Sequence, residues 1–147
     1  MCTVITHPVV PIALSVLIPQ ETASSSLLIA GALCSIVPDL DVVGFEFGIE
    51  YSDMLGHRGF THSIFFAALL AVFVTFAFFR NSNGSQLLIL VFLFLSTLSH
   101  PTLDALTNGG LGVGFFAPFS NERYFFAFRP IEVSPIGVGD LRKGRAL

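Results

Sequence analysis

The sequence predicts an all-α integral membrane protein, a bundle of about four helices followed by an irregular, aromatic-rich C-terminal segment. Of its 147 residues, 53% are hydrophobic and only 12% are charged, whereas about 25% are charged in an ordinary soluble domain. The mean hydropathy is +0.80. Long apolar runs alternate with stretches rich in Pro, Gly, Asn and Ser, and a backbone in lipid must satisfy its own hydrogen bonds. The length predicts a single domain, residues 1–147.

Four apolar runs differ in length. Ser63–Phe79 has no charged residue in 17 positions, which meets the roughly 17–25 residues that a membrane crossing needs. The run from Leu87 is fully apolar for nine residues before polar groups enter. Pro8–Ile18 and Ser26–Val37 would each give about 17–18 Å of helix, too short for a core of about 30 Å. We therefore expect these two runs to lie in the interface, to re-enter, or to pack against the longer pair.

The order of the helices predicts that the polar residues meet at one end of the bundle. Helices at about 8–18, 24–37, 62–79 and 87–106 would alternate in direction. All four histidines and three aspartates then fall on the same side: His7, His57, His62, His100, Asp39, Asp41 and Asp104. The opposite loops, 19–25 and 80–85, contain no histidine.

The spacing of the histidines suggests how they converge. His100 and Asp104 are four apart and share a helix face, either to bind one ion or to form a hydrogen bond that caps the helix. His57 and His62 are five apart and would diverge by about 140° on one helix. We therefore expect Gly59 to turn the chain and Thr61 to cap the following helix, so that His57 approaches from the loop.

The motif "PDLD" (38–41) supplies two carboxylates. On a helix Asp39 and Asp41 would diverge, but in a turn after Pro38 one would bind an ion and the other would support a ligand or act as a base. Acidic residues at helix ends are also common as simple caps. His7, directly before Pro8, is either a further ligand or a structural histidine near the terminus.

Together these residues predict a metal site. Ionisable groups at membrane depth are costly and mark functional sites, and imidazole with carboxylate suits Zn²⁺, Mn²⁺ or iron. Seven candidates exceed the ligands of one catalytic zinc, so either two metals bind or some residues support the ligands. We expect one or two divalent ions per chain, Zn²⁺ or Mn²⁺ before others, held by His7, Asp39, His57, His62, His100 and Asp104.

Arg58 predicts the chemistry at that site. Its guanidinium is always charged and matches a phosphoryl or carboxylate oxygen. Beside a metal that activates water, it indicates hydrolysis of an ester or phosphoester, with Arg58 stabilising negative charge and Asp41 as the candidate base. The alternative is an ion pair from Arg58 to Asp53 or to a lipid phosphate. A nucleic-acid partner is not expected, because the chain has no basic patch.

Several motifs in order resemble one family. His7, "PDLD" (38–41), "HRGFTHS" (57–63), "SHPTLDALTNGG" (99–110) and "APFSNERYFFAFRPIEVSP" (117–135) are similar to motifs of the YdjM-like bacterial membrane-bound metal-dependent hydrolases. The resemblance implies a location in the inner membrane, metal binding by the His and Asp residues above, and hydrolase activity. From the chemistry of the site, rather than from the resemblance, we expect the substrate to be an amphiphilic or phosphoester small molecule, such as a lipid or lipid-linked phosphoester, with membrane lipid as the surroundings.

The C-terminal segment, residues 115–147, is too interrupted to cross a membrane. Its aromatic residues predict an interfacial segment that roofs the site, with plain core packing as the alternative. Basic residues on the motif side are Arg58, Arg123, Arg129, Arg142, Lys143 and Arg145, against only Arg80 opposite. By the positive-inside rule, the site of this multi-pass protein faces the cytoplasm.

Two other functions fit the same sequence. One is a metal-binding or metal-transporting membrane protein without hydrolysis, which would need a polar path, although the run 63–79 offers only Ser63 and Thr75. The other is a small structural membrane protein whose polar end contacts lipid headgroups.

Overall fold

A computed structural model describes residues 6–132, and this part of the chain is all helical, without a β-strand. The α-helices are α1 (Val9–Ser15), α2 (Ser25–Cys34), α3 (Ile64–Phe78) and α4 (Gln86–Ala105). Two 3-10 segments, Val37–Phe47 and Phe60–His62, lie between α2 and α3. The predicted all-α bundle of four helices is confirmed.

Serine side chains determine where three of the helices begin. Ser24, Ser63 and Ser85 precede α2, α3 and α4, and each hydroxyl accepts a hydrogen bond from a backbone N–H in the first turn, which satisfies a donor that the helix cannot. The expectation that Thr61 caps α3 was wrong. Phe60–His62 form a separate turn before the helix, and the Thr61 hydroxyl instead donates to Asp41 Oδ2 at 2.6 Å.

Two helical runs are long and apolar enough, by length and composition, to cross a membrane. They are Ser25–Phe47, with 23 residues, and Gln86–Ala105, with 20. The expectation that the second apolar run is too short was wrong, because α2 continues almost directly into the 3-10 segment that ends at Phe47. We expected the run 63–79 to be the clearest span. It forms a helix of 15 residues, about 22 Å long, because Ser63 and Phe79 act as its caps.

Small residues let the helices approach closely around an apolar core. Ala67, Ala71 and Thr75 lie at intervals of four on α3 and are buried, so they share one face of the helix. A Cβ atom added at Gly31 of α2 would lie 2.5 Å from the Phe92 ring of α4. The core therefore occupies the middle of the bundle, away from the polar end.

The outer surface of the bundle is apolar as well. Phe73 and Phe76 of α3 and Leu87 of α4 are each at least 60% exposed. In a soluble protein such a surface would be a liability, whereas a helix facing lipid has no need of polar side chains. The fold thus has the exterior that a membrane protein requires.

Residues 106–132, the covering segment, follow α4 and fold back over one end of the bundle. Val113 and Tyr124 exchange both backbone hydrogen bonds, at 2.9 Å each, and the Phe126 N–H donates to the carbonyl of Ala105. This segment covers the end where α4 finishes and α3 begins. Residues 133–147 lie outside the described residues. They include Arg142, Lys143 and Arg145, which we used to predict the orientation of the protein in the membrane.

Candidate metal centre

The four histidines of the chain form a contiguous row. The rings of His7 and His100 stack with their centroids 3.8 Å apart. His62 contacts His100 at 4.8 Å and His57 contacts His62 at 5.5 Å, both edge to face. All four side chains are buried. Residues separated by up to 93 positions in sequence thus meet at one end of the bundle, as their order along the chain predicts.

Four residues in the middle of this row point their ligand atoms at a common centre: Asp39, His62, His100 and Asp104. From His62 Nε2, the distance is 3.8 Å to Asp39 Oδ1 and 3.5 Å to Asp104 Oδ2. From His100 Nε2, the corresponding distances are 3.2 Å and 3.8 Å. Ligands about 2.0–2.2 Å from a tetrahedral ion would be about 3.3–3.6 Å apart. Two imidazoles and two carboxylates at these separations fit one divalent ion.

The far side of each imidazole is fixed by a hydrogen bond. His100 Nδ1 lies 2.7 Å from the carbonyl oxygen of Ser35, and since a carbonyl only accepts, Nδ1 carries the proton. His62 Nδ1 lies 3.2 Å from Asp41 Oδ2. Metal-binding histidines nearly always have such a partner, because it leaves the other nitrogen deprotonated and correctly oriented. Both Nε2 atoms are therefore prepared for a ligand role.

Asp41 supports the histidines from behind. Its Oδ1 lies 2.6 Å from His57 Nδ1, while Oδ2 accepts from the Arg58 N–H at 3.2 Å and from the Thr61 hydroxyl. The 3-10 geometry explains why Asp39 and Asp41 face different ways, since about 120° per residue places positions two apart about 120° from each other. Asp41 therefore meets the rear of His57 and His62 while Asp39 faces the centre.

His57 lies outside the four-residue group, although we expected it to be a ligand with the others. It belongs instead to a second cluster with Asp41 and His62, in which the carboxylate already bridges both rings. The ligand role of His57 stays a prediction that depends on whether this second cluster binds an ion of its own.

The guanidinium of Arg58 reaches the centre through Asp104. Its Nε lies 3.0 Å from Asp104 Oδ2, and Nη1 donates to the carbonyl of Gly109 at 2.8 Å and to Thr107 Oγ1 at 3.3 Å. The alternative ion pair from Arg58 to Asp53 is not formed. Within residues 6–132, neither Nε nor Nη2 makes a hydrogen bond, although Nε lies at ion-pair distance from Asp104, so Nη2 is a donor available to a further group.

The turn between His57 and His62 depends on both Arg58 and Gly59. Arg58 has φ of 63°, a left-handed conformation that costs energy in a residue with a side chain. Gly59 has no positive φ, but a Cβ there would lie 2.1 Å from the carbonyl oxygen of Met54. We expected Gly59 alone to make the turn. Gly59 is needed because a side chain there has no room, but the left-handed backbone angle belongs to Arg58.

His7 is buried without a partner. Neither ring nitrogen has a hydrogen bond within residues 6–132, which is unusual for a polar group that is 1% exposed. Burial, together with the neighbouring His100, lowers the pKa of His7 to about 4. The ring is therefore neutral and has a free lone pair beside the four-residue group.

The charges of the site favour a cation. Within residues 6–132, the Arg58 guanidinium pairs with Asp104, whereas Asp39 and Asp41 lie against the histidine rings, so three carboxylates and this guanidinium leave two negative charges if the histidines are neutral. Burial lowers the pKa of His62, but hydrogen bonds to Asp104, Asp39 and Asp41 raise it to about 10. Without a metal the His62 ring therefore carries a second proton, which a divalent ion would displace to leave Nε2 free as a ligand.

Sequence reasoning missed some of the residues that hold the site. The Ser35 carbonyl and the Gly109 carbonyl are backbone groups, for which the sequence has no signal. Arg123 donates to the carbonyl oxygens of His57, Tyr51 and Asp53. The only sequence signal for this role of Arg123 was its position inside the motif 117–135.

Comparison with known proteins places the chain among inner membrane proteins. A family model described as YdjM inner membrane protein matches residues 1–145. Inner membrane protein YbcI of Escherichia coli (strain K12) is 41% identical over 138 residues, which cover 94% of this chain and 80% of that protein. No solved structure matches the chain.

Proposed function

This chain belongs to the YdjM inner membrane protein family, and we propose that it is a metal-dependent hydrolase that acts on an ester or phosphoester. The observation that carries the proposal is the buried group of Asp39, His62, His100 and Asp104, in which each imidazole Nε2 lies 3.2–3.8 Å from each carboxylate. Such a cluster is expensive to bury unless it binds an ion.

The four-residue group would hold the ion, with His7 as a further ligand. When bound, a divalent cation would supply Lewis-acid chemistry and lower the pKa of a water molecule that it coordinates. Asp39 is the group through which solvent or substrate would approach, because its side chain is 13% exposed while those of His62, His100 and Asp104 are at most 4% exposed.

Arg58 has two tasks in this proposal. Its Nε holds the Asp104 carboxylate in place, and Nη2 remains available to an anionic oxygen of the substrate. A preorganised guanidinium in a site from which water is excluded stabilises developing negative charge more than it would in water. Asp41 is engaged with His57, Thr61 and the Arg58 N–H, so its geometry favours orientation of His62 over service as a base.

An amphiphilic substrate from the membrane fits the surroundings of the site. The exterior of the helices is apolar, and several aromatic side chains of the covering segment, such as Phe116, Phe119 and Phe128, are exposed. Aromatic side chains favour the boundary between membrane and water. We propose that the protein crosses the membrane more than once with the site on the cytoplasmic side, where the positive-inside rule places Arg58, Arg123 and Arg129.

A second candidate function is metal binding without hydrolysis. Four protein ligands complete a tetrahedron, as they do in structural zinc sites, whereas catalytic sites keep one position open. This observation favours a structural ion, unless the metal takes five or six ligands. Transport is less favoured, because Ile89 and Leu93, both 0% exposed, fill the interior of the bundle between the site and the opposite end.

Metal analysis followed by a substrate screen tests these functions. We expect detergent-purified protein to contain at least one Zn²⁺ or Mn²⁺ per chain and to hydrolyse a member of a panel of esters and phosphoesters. Asp39→Asn should lose metal and activity, whereas Glu46→Gln, an exposed carboxylate of the same 3-10 segment, should keep both. Metal without turnover would support the second function, and activity in fully stripped protein would exclude the hydrolase proposed.

A further inference from the structure

Arg123 lies outside the candidate metal centre but is joined to its backbone. Its Nη1 donates to the His57 carbonyl at 2.9 Å, and its Nη2 donates to the carbonyls of Tyr51 at 3.0 Å and Asp53 at 2.7 Å. The guanidinium also lies over the Tyr51 ring, 6.0 Å from its centroid. One side chain of the covering segment thus holds three carbonyls of the loop that leads into His57 and Arg58.

The carbonyl of His57 belongs to the peptide bond directly before Arg58. The same peptide group is also held at its N–H, because the Arg58 N–H donates to Asp41 Oδ2 at 3.2 Å, and the next peptide group is held at the Arg58 carbonyl, which accepts from the Gly114 N–H at 2.8 Å. Arg58 has φ of 63°, a conformation that persists only where the surroundings impose it. The bond from Arg123 is one of three that fix the orientation of these peptide groups.

The backbone conformation of Arg58 determines where its side chain goes. From this position Nε reaches Asp104 Oδ2 at 3.0 Å, and the same oxygen lies 3.5 Å from His62 Nε2 at the centre of the site. A relaxed Arg58 would swing its side chain away from Asp104, and the carboxylate would lose the contact that orients it.

We propose that Arg123 is a positioning residue for the metal centre, holding the His57 carbonyl so that Arg58 keeps the conformation that orients Asp104. The proposal rests on the metal site of the proposed function. Arg123 is suited to this task because a planar guanidinium can donate to several acceptors in fixed directions, which a lysine ammonium cannot reproduce.

The test compares Arg123→Gln with Arg129→Gln. Arg129 lies in the same segment and is exposed, with its guanidinium over the Phe125 ring, so its loss should leave the loop unchanged. We expect Arg123→Gln to weaken Zn²⁺ binding by roughly ten- to a hundred-fold, the effect usual for residues that orient ligands. Competition with a chelator of known affinity measures this, and Arg129→Gln should bind Zn²⁺ as the unmodified protein does.

A double-mutant cycle separates positioning from general loss of structure. In an Arg58→Gln background, Arg123→Gln should cause little further loss of Zn²⁺ affinity, because both substitutions interrupt the same connection to Asp104. Full additivity of the two effects would overturn the proposal. If Arg123→Gln does not fold, Arg123→Lys takes its place. We expect this variant to lose Zn²⁺ affinity too, but by a smaller factor. Unchanged Zn²⁺ affinity would contradict the proposal.

Hydrogen exchange provides a readout that needs no metal. In metal-free protein, the amides of Arg58 and Gly59 should exchange faster in Arg123→Gln than in Arg129→Gln, and unchanged exchange would overturn the proposal. If the unmodified protein binds no Zn²⁺ while these amides respond as expected, the proposed metal site fails but the link from Arg123 to Arg58 stands.

Discussion

The carboxylate oxygen Oδ2 of Asp104 lies 3.0 Å from Arg58 Nε and 3.5 Å from His62 Nε2. One buried oxygen is therefore shared between a permanent cation and a candidate metal ligand. The guanidinium compensates for the buried carboxylate when no metal is bound, and it holds the oxygen towards the centre when one is.

We expect Asp104→Asn to destabilise the metal-free protein. The substitution leaves the buried guanidinium of Arg58 without its counter-ion, and removal of one partner of a buried ion pair costs about 3–5 kcal/mol. Chemical unfolding in detergent with a chelator present measures the change. Glu46→Gln, an exposed control, should change the unfolding free energy by less than about 0.5 kcal/mol. An equally small change for Asp104→Asn would show that the ion pair between Arg58 and Asp104 contributes nothing to stability.

Two neighbouring carboxylates should affect metal binding to different extents. Asp39 faces the centre, whereas Asp41 supports His57 and His62 from behind. We expect Asp39→Asn to remove measurable Zn²⁺ binding and Asp41→Asn to weaken it by about 10–100-fold. Titration against a competing chelator checks the order. Equal losses would mean that Asp41 also binds the ion directly.

Metal affinity should rise with pH through the neutral range. The pKa of His62 in the metal-free protein is raised to about 10, so the ring is protonated at neutral pH and binding must release that proton. One released proton makes the affinity about tenfold higher per pH unit below the pKa. Calorimetry in buffers of different ionisation enthalpy counts the proton, and an affinity that does not change with pH contradicts the assignment.

His7→Phe should separate stability from metal binding. Phenylalanine keeps a ring that can stack on His100, but it removes two buried nitrogens that lack partners within the described residues. We expect the metal-free protein to become more stable by about 1–3 kcal/mol, while Zn²⁺ binds more weakly because a ligand is lost. Thermal unfolding with and without Zn²⁺ measures both effects, and unchanged Zn²⁺ affinity would exclude His7 as a ligand.

Gly59→Ala should disturb the turn before α3. The added methyl group would lie 2.1 Å from the Met54 carbonyl oxygen, so the backbone must move, and overpacking of this kind costs about 1–3 kcal/mol or more. Gly114→Ala is the matched control, because its Cβ would meet only ordinary contacts at 3.4 Å and beyond. Unfolding free energies of the two variants check the difference.

The sequence predicts the bundle and the meeting of its polar residues better than it predicts their individual roles. Alternation of apolar runs and breaks was enough to place His7, His62 and His100 at one end, because each break allows the next helix to reverse direction. It could not separate Asp39 from Asp41, since that depends on a 3-10 geometry that apolar periodicity does not reveal.

Other details depend on contacts between distant parts of the chain. Ser63 and Thr61 are both good caps by residue type, and the attraction of Thr61 to Asp41 decides between them. The second helical run is longer than the sequence predicted. Its 3-10 continuation contains Pro38 and two aspartates, which are typical of a loop. Arg123 acts through backbone carbonyls, and no pattern of side chains predicts these acceptors.

The four residues at the centre come from three separate parts of the chain: the 3-10 segment after α2, the turn before α3, and the end of α4. An ion bound there would be a cross-link between Asp39 and His100, which are 61 positions apart. Because these ligands come together only in the folded chain, metal binding would stabilise the folded state by mass action, whereas a disulfide acts by restricting the unfolded chain. A bound metal would therefore hold three separate parts of the bundle together, and its removal would lower the stability of the fold as well as the occupancy of the site.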